Sequence, residues 1–212
     1  MKFFLSLFIA TFLFSMPSVV AQKIVYSEPD SDETRRMDFE IIGKVSGNFL
    51  VYKSMRGRSY ISAYDNEMKQ VTKEEHKFLP EDRLINVDFF PFADHAYMIY
   101  QYQKKNVVYC NVAKIDGMGK MVGEVTQLDT SHIGFTASNK IYQVINSEDR
   151  NRLMVFKINS RNKDRYVITT LLYDNALALQ KRNTLVMNMD EDKDYLDEFN
   201  LDNDGDLVFT KF

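Results

Sequence analysis

The chain has 212 residues, 45% hydrophobic and 13% aromatic, enough apolar side chain for a folded core and unlike a disordered composition. Its formal net charge of −3 is spread over 27 basic and 30 acidic residues with no basic stripe, which argues against a nucleic-acid binder. The single cysteine, Cys110, excludes an intramolecular disulfide; it sits in the apolar run Val107 to Ala113 and is expected to be a small buried hydrophobe.

Taken in order, the chain opens with Lys2, an apolar run from Phe3 to Phe14, a breaker at Pro17 and small residues at Val19 and Ala21. This succession predicts a secretory signal peptide over residues 1–21, cut between Ala21 and Gln22. The run is too short for a membrane span, and no cysteine follows the cut to take a lipid. The product is therefore expected to be exported, to the periplasm, the cell surface or the medium. The remaining 191 residues suffice for one full domain. Over residues 22–37, Ile24-Val25-Tyr26 predicts a lone strand, and the polar stretch from Glu28 to Arg36 predicts a solvated linker.

From Asp38 the pattern becomes regular. Apolar or alternating runs rich in aromatic and β-branched residues, separated by turn signals, predict four-strand units. The first has strands near 38–45, 48–54, 59–65 and 68–78, and the second near 84–90, 96–102, 106–115 and 120–128. The third has strands near 140–146, 153–158, 165–173 and 177–187. A fourth unit, 196–212, contains two strands. Helical spacing through Leu177, Leu179 and Leu185 competes with the last hairpin of the third unit, and the repeat favours the hairpin.

Two sets of anchors mark the period. Tyr52, Tyr100, Phe156 and Phe209 end the second run of each unit at separations of 48, 56 and 53 residues; Asp65, Asp116 and Asp174 close the third run at separations of 51 and 58. Four strands repeating every ~50 residues predict an all-β chain of β-propeller-like blades. The nearly continuous apolar runs Tyr97 to Tyr100 and Leu171 to Tyr173 suit strands covered on both faces. A β-sandwich, the alternative, would alternate more cleanly. Three and a half blades do not close a ring. Hence the chain is expected to be the N-terminal part of a longer protein, unless the strand at Ile24 to Tyr26 helps complete the fourth blade.

Few residues point to chemistry. Asn200, Asp202 and Asp204, with Gly205 in sixth place, resemble the front half of a calcium loop, but Val208 and Lys211 stand where later ligands belong. The same residues fit a polar hairpin turn, which the repeat calls for at this place. The acidic run Asp190 to Asp194 suits a solvated loop between units. His76, His95 and His132 show no zinc spacing, and Gly43-Lys44-Val45-Ser46-Gly47 places its serine one position too late for a nucleophile elbow.

The chain resembles a group of exported bacterial repeat proteins of unassigned function. The resemblance rests on the leader ending at Ala21-Gln22, on Asp38 to Lys44, on the blade segments Tyr97 to Tyr102 and Leu153 to Ile158, and on Asp202 to Gly205. It implies a fold and supplies no catalytic residues. The function expected is a non-enzymatic propeller-type module that binds a protein or glycan through loops on one face. Two alternatives are the front part of an exported hydrolase, either a glycosidase or a peptidase with a downstream catalytic domain, and a calcium-stabilised adhesion domain.

Overall fold

The computed structural model describes residues 24–27, 37–80, 83–162, 164–190 and 192–212, and the side chains of these residues except 160–162. The leader expected at 1–21 and the linker at 28–36 lie outside the described residues. Residues 24–27 carry no regular secondary structure. The strand expected at Ile24 to Tyr26 is not formed there, since no strand among the described residues pairs with it.

Among the described residues all fourteen elements are strands: β1 (Met37–Val45), β2 (Asn48–Met55), β3 (Arg58–Tyr64), β4 (Gln70–Glu75), β5 (Arg83–Pro91), β6 (His95–Lys104), β7 (Val107–Asp116), β8 (Met121–His132), β9 (Tyr142–Asn146), β10 (Arg152–Asn162), β11 (Arg165–Asp174), β12 (Leu179–Asn188), β13 (Leu196–Leu201) and β14 (Leu207–Lys211). They form three four-stranded antiparallel sheets in chain order, β1 to β4, β5 to β8 and β9 to β12, and one two-stranded sheet, β13 with β14. The predicted strands thus fall almost where the structure has them. The segment with helical spacing is a hairpin turn followed by β12.

Consecutive sheets pack face to face across three apolar seams. The first joins Ile42, Leu50, Tyr52 and Ile61 to Met98, Tyr100 and Ile115. The second joins Tyr97, Ile99, Val108 and Cys110 to Tyr142, Leu153, Val155 and Tyr173. The third joins Met154, Phe156, Ile168 and Leu172 to Leu201, Leu207 and Phe209. A two-sheet sandwich has one such seam.

Alternation along a central strand serves two neighbours. Met98 and Tyr100 of β6 face the first sheet while Tyr97 and Ile99 face the third. Doubly covered strands therefore lose the apolar–polar alternation of a half-exposed sheet. Each large apolar side chain buried this way contributes about 1.5–3 kcal/mol. The fourth strands β8 and β12 are largely exposed, whereas the first strands lie side by side, β1 against β5 and β9 against β13.

The aromatic anchors acquire a different meaning. Tyr52 and Tyr100 both enter the first seam, from opposite sheets, and Phe156 and Phe209 both enter the third. They lie on opposite faces of their own sheets and are not equivalent positions of a repeat.

Candidate functional site

The acidic turn residues come first, because they include the candidate calcium ligands. Asp65, Asp116 and Asp174 each begin a turn between the third and fourth strands, and each carboxylate accepts backbone N–H bonds from the second and fourth residues after it, at 2.8–3.0 Å. An Asp side chain closing its own turn this way is the Asx arrangement. Asp202 does the same between β13 and β14, its Oδ1 accepting from Asp204 N at 3.0 Å and Asp206 N at 2.8 Å.

The rest of that loop is tied to its neighbour. Asn203 accepts from Asp149 N with its side chain and from Arg152 Nε with its carbonyl, and Asn200 Nδ2 donates to Glu198 O. Gly205 has φ +94°, and a Cβ there would lie 2.7 Å from Leu172 Cδ2. Packing and backbone conformation thus account for the glycine that suggested a metal loop. Among the described residues, no three His, Cys, Asp or Glu side chains gather into a metal-binding group.

A denser constellation lies on the second seam. Lys157 of β10 points its ammonium at β8, donating to Asp129 Oδ2 at 2.7 Å, Ser131 Oγ at 2.8 Å and the Thr130 carbonyl at 3.2 Å. The Tyr142 hydroxyl lies 2.8 Å from Ser131 Oγ and 3.1 Å from Asp129 Oδ2, and the ammonium sits 5.2 Å from the centre of its ring. Arg182 approaches the other carboxylate oxygen at 3.6 Å. The three ammonium hydrogens therefore have an acceptor each, with the Tyr142 hydroxyl a fourth at 3.4 Å, and a charged pair that leaves the solvent requires such saturation.

Burial pushes the Tyr142 phenol well above its ordinary value, the Asp129 carboxylate adding to the shift. Nearby, burial pushes the Tyr173 phenol up to about 12, and its hydroxyl donates to the Leu128 carbonyl at 3.0 Å. Burial also raises the Cys110 thiol, which makes it an inert core group as expected.

In front of this network opens a cleft of about 430 Å³, within the size range of small-ligand sites. Its polar lining comes from Ser131, His132, Lys157, Asn159 and Thr169, and its apolar lining includes Phe135, whose side chain is 54% exposed. Among the described residues, no carboxylate lines it.

Two buried glutamines hold the cleft wall in place. Gln101 Oε1 accepts from Ile141 N at 3.0 Å and Tyr142 N at 2.8 Å, while its Nε2 donates to the Tyr142 carbonyl at 2.7 Å. Gln103 does the same for the segment before it, taking Ala137 N and donating to the Phe135 carbonyl. One face of β6 thus fixes the connection 133–141 that carries Phe135. Buried amides with every partner supplied specify a geometry as well as stabilising it.

None of these residues was a candidate from sequence. One signal was present: Lys157 interrupts the apolar run Leu153 to Ile158, and a charge within a strand covered on both faces needs a partner. The three histidines stand at different elements: His76 follows β4, His95 opens β6 and His132 ends β8. His76 is buried beside Phe78, His95 Nδ1 meets Asp94 at 2.7 Å, and His132 lines the cleft. Gly43 marks a bulge in β1, where a Cβ would lie 3.3 Å from Pro91 Cγ. No protein-family model, curated protein or solved structure matches the chain.

Proposed function

We propose that the chain is an exported, non-enzymatic binding module whose consecutive sheets are blades of a β-propeller-like array, and that the cleft on the second seam takes a short neutral glycan. The observation that carries this reading is the pairing of a half-exposed Phe135 ring with hydroxyl, amide and imidazole groups and the neutralised Lys157 ammonium in one cleft, with no carboxylate among its described lining residues. A sugar ring offers an apolar face for the aromatic ring and hydroxyls for the polar lining.

The network behind the cleft supports binding over hydrolysis. Ser131 touches Lys157 and Tyr142, the neighbours that activate a serine elsewhere in enzymology. Here the ammonium is engaged with Asp129, and the phenol is held protonated by burial, so neither takes the serine proton. Calorimetric titration with a panel of neutral oligosaccharides tests the reading. Phe135→Ala should weaken the best ligand about tenfold without lowering thermal stability; an unaltered affinity, or no saccharide binding at all, removes it.

One observation favours the hydrolase alternative. Glu40 of β1 has its carboxyl raised by burial and by Asp88 of β5, while Lys140 Nζ lies 3.4 Å from Asp88 Oδ1. A carboxyl raised beside a second carboxylate suits acid–base work. Under that reading, hydrolysis of chromogenic glycosides would be detectable and lost in Asp88→Asn.

A further inference from the structure

The three four-stranded sheets leave their fourth strands alike. His76, Ile133 and Met189 each follow a fourth strand, each is buried, and each donates its backbone N–H to a carbonyl where the third strand opens, Ser59, Asn106 and Asp164, at 2.8–3.0 Å. Two of these places hold apolar side chains, as an enclosed position favours. The first holds an imidazole. Burial works against its charged form, and although the ring bonds to the Gly119 carbonyl, its Nε2 is buried with no hydrogen-bond partner among the described residues. An orphaned buried nitrogen costs stability that an isoleucine or methionine would not, so packing alone does not account for this histidine.

His76 lines a cavity of about 720 Å³ at the end of the first seam, between β2, β3 and β4 on one side and the start of β5 on the other. Both sheets have all four strands, so its walls belong to finished units. Among the described lining residues, Arg58, Lys77 and Arg83 are opposed by one acid, Glu75. That carboxylate is shared, its oxygens standing 3.9 Å from Arg58 Nε and 4.0 Å from Lys77 Nζ. The described wall therefore carries two uncompensated positive charges, on a chain whose formal net charge is −3. A cleft lined by one sign of charge concentrates ions of the other. The second-seam cleft has no such excess, since its Lys157 is paired with Asp129.

We infer that this cavity binds a small phosphate monoester. A phosphoryl group carries close to two negative charges at neutral pH, which matches the excess on the wall. Its cations are rooted on three separate segments, the start of β3, the connection after β4 and the start of β5, so they reach several phosphoryl oxygens at once. The two guanidinium groups offer forks that suit such oxygens in pairs. Leu79, Pro80 and Leu84 supply an apolar side for the carbon skeleton, and a volume within the range of small-ligand sites leaves room for it. The imidazole then has a purpose at the inner end. A dianion beside it favours the charged ring, in which both nitrogens donate.

The probes are phenyl phosphate, phenyl sulfate and inorganic phosphate, titrated calorimetrically into the whole protein. Phenyl phosphate should bind saturably, and phenyl sulfate, with the same ring and one charge fewer, at least about tenfold more weakly. Inorganic phosphate should also bind more weakly; equal affinity would assign the site to the free ion and overturn the ester. Arg83→Gln should weaken the ester about tenfold at unchanged thermal stability. His76→Met places there the side chain that the third sheet already uses, and should weaken the ester while raising thermal stability, a split that a packing role would not give. Absence of saturable binding, phenyl sulfate binding as tightly, or an affinity untouched by both substitutions overturns the inference. A His76→Met protein less stable than the original makes the ring a packing group and removes it from the site. Neutral saccharides report on the second seam and the ester on the first, so either reading can fail alone.

Discussion

The second and third seams start from similar central strands and are closed differently. On the second, two complete sheets meet, Val155 and Ile99 are sealed, and a polar network with two pinning glutamines fixes the connection between them. On the third, β10 offers Met154 and Phe156 to a sheet of two strands, and Thr170 and Leu185 keep part of their surface. The difference teaches where rigidity comes from. Apolar contact is present on both seams, but only the second has buried polar groups whose partners must be in one place.

The largest expected effect probes apolar contact alone. Phe156→Ala should cost ~3–5 kcal/mol in urea unfolding, because the side chain is fully enclosed. Phe209→Ala, across the same seam but partly exposed, should cost about half that. Equal costs would mean that the two-stranded sheet is sealed as well as the others.

Breaking the network is expected to come next. Lys157→Met strands the Asp129 carboxylate, whose side chain is 10% exposed, and should cost ~3 kcal/mol. Combining it with Asp129→Leu should recover part of that loss, since the one charge that then loses its partner, Arg182, is half-exposed. A double variant less stable than Lys157→Met would show that the pair is worth more than the apolar contact replacing it.

The turn aspartates should matter less and equally. Asp116→Ala, Asp174→Ala and Asp202→Ala each remove two bonds from backbone N–H groups of the turn and should cost about 1 kcal/mol. Thermal unfolding with and without calcium discriminates further. A rise in melting temperature with calcium that Asp204→Ala abolishes would restore the metal reading for the last of these turns.

The smallest effect separates the first seam from the others. Burial lowers the proton affinity of His76 below its ordinary value of 6.5, the Gly119 carbonyl partly opposing the shift. The unfolded chain then binds the proton more readily, so this contribution is fully present above about pH 6.5 and is lost as the pH falls towards the folded-state value. His76→Phe should flatten the pH dependence of stability in that window. A slope unchanged by the substitution would assign it to other groups.

Much of the fold was legible in the chain. The four-strand units, the hairpins and the aspartate turns follow from period-2 patterning and turn chemistry, which act over a few residues. The site was not legible for the opposite reason. Asp129 and Ser131 lie beyond the predicted end of their strand at residue 128, in a polar stretch that resembles a solvated edge. Their partner Lys157 is 28 residues from Asp129, and the cleft they share depends on a connection held by glutamines from a third strand. Gln101 and Gln103 looked like ordinary polar residues of an alternating strand.

Sequence by itself determined that this chain makes antiparallel strands in groups of four, where they turn, and that their central members are covered on both sides. Only the tertiary structure decided which seam each side chain enters. Tyr52 and Tyr100 look equivalent by spacing, yet they enter one seam from opposite sheets. A strand has a two-residue period, so one extra residue in a turn or bulge sends every later side chain to the opposite face. The shifts between Ile41 and Gly43 and between Leu84 and Asn86, and turns of unequal length, supply such residues. Face assignment is thus a sum of local parities that only the paired sheets reveal.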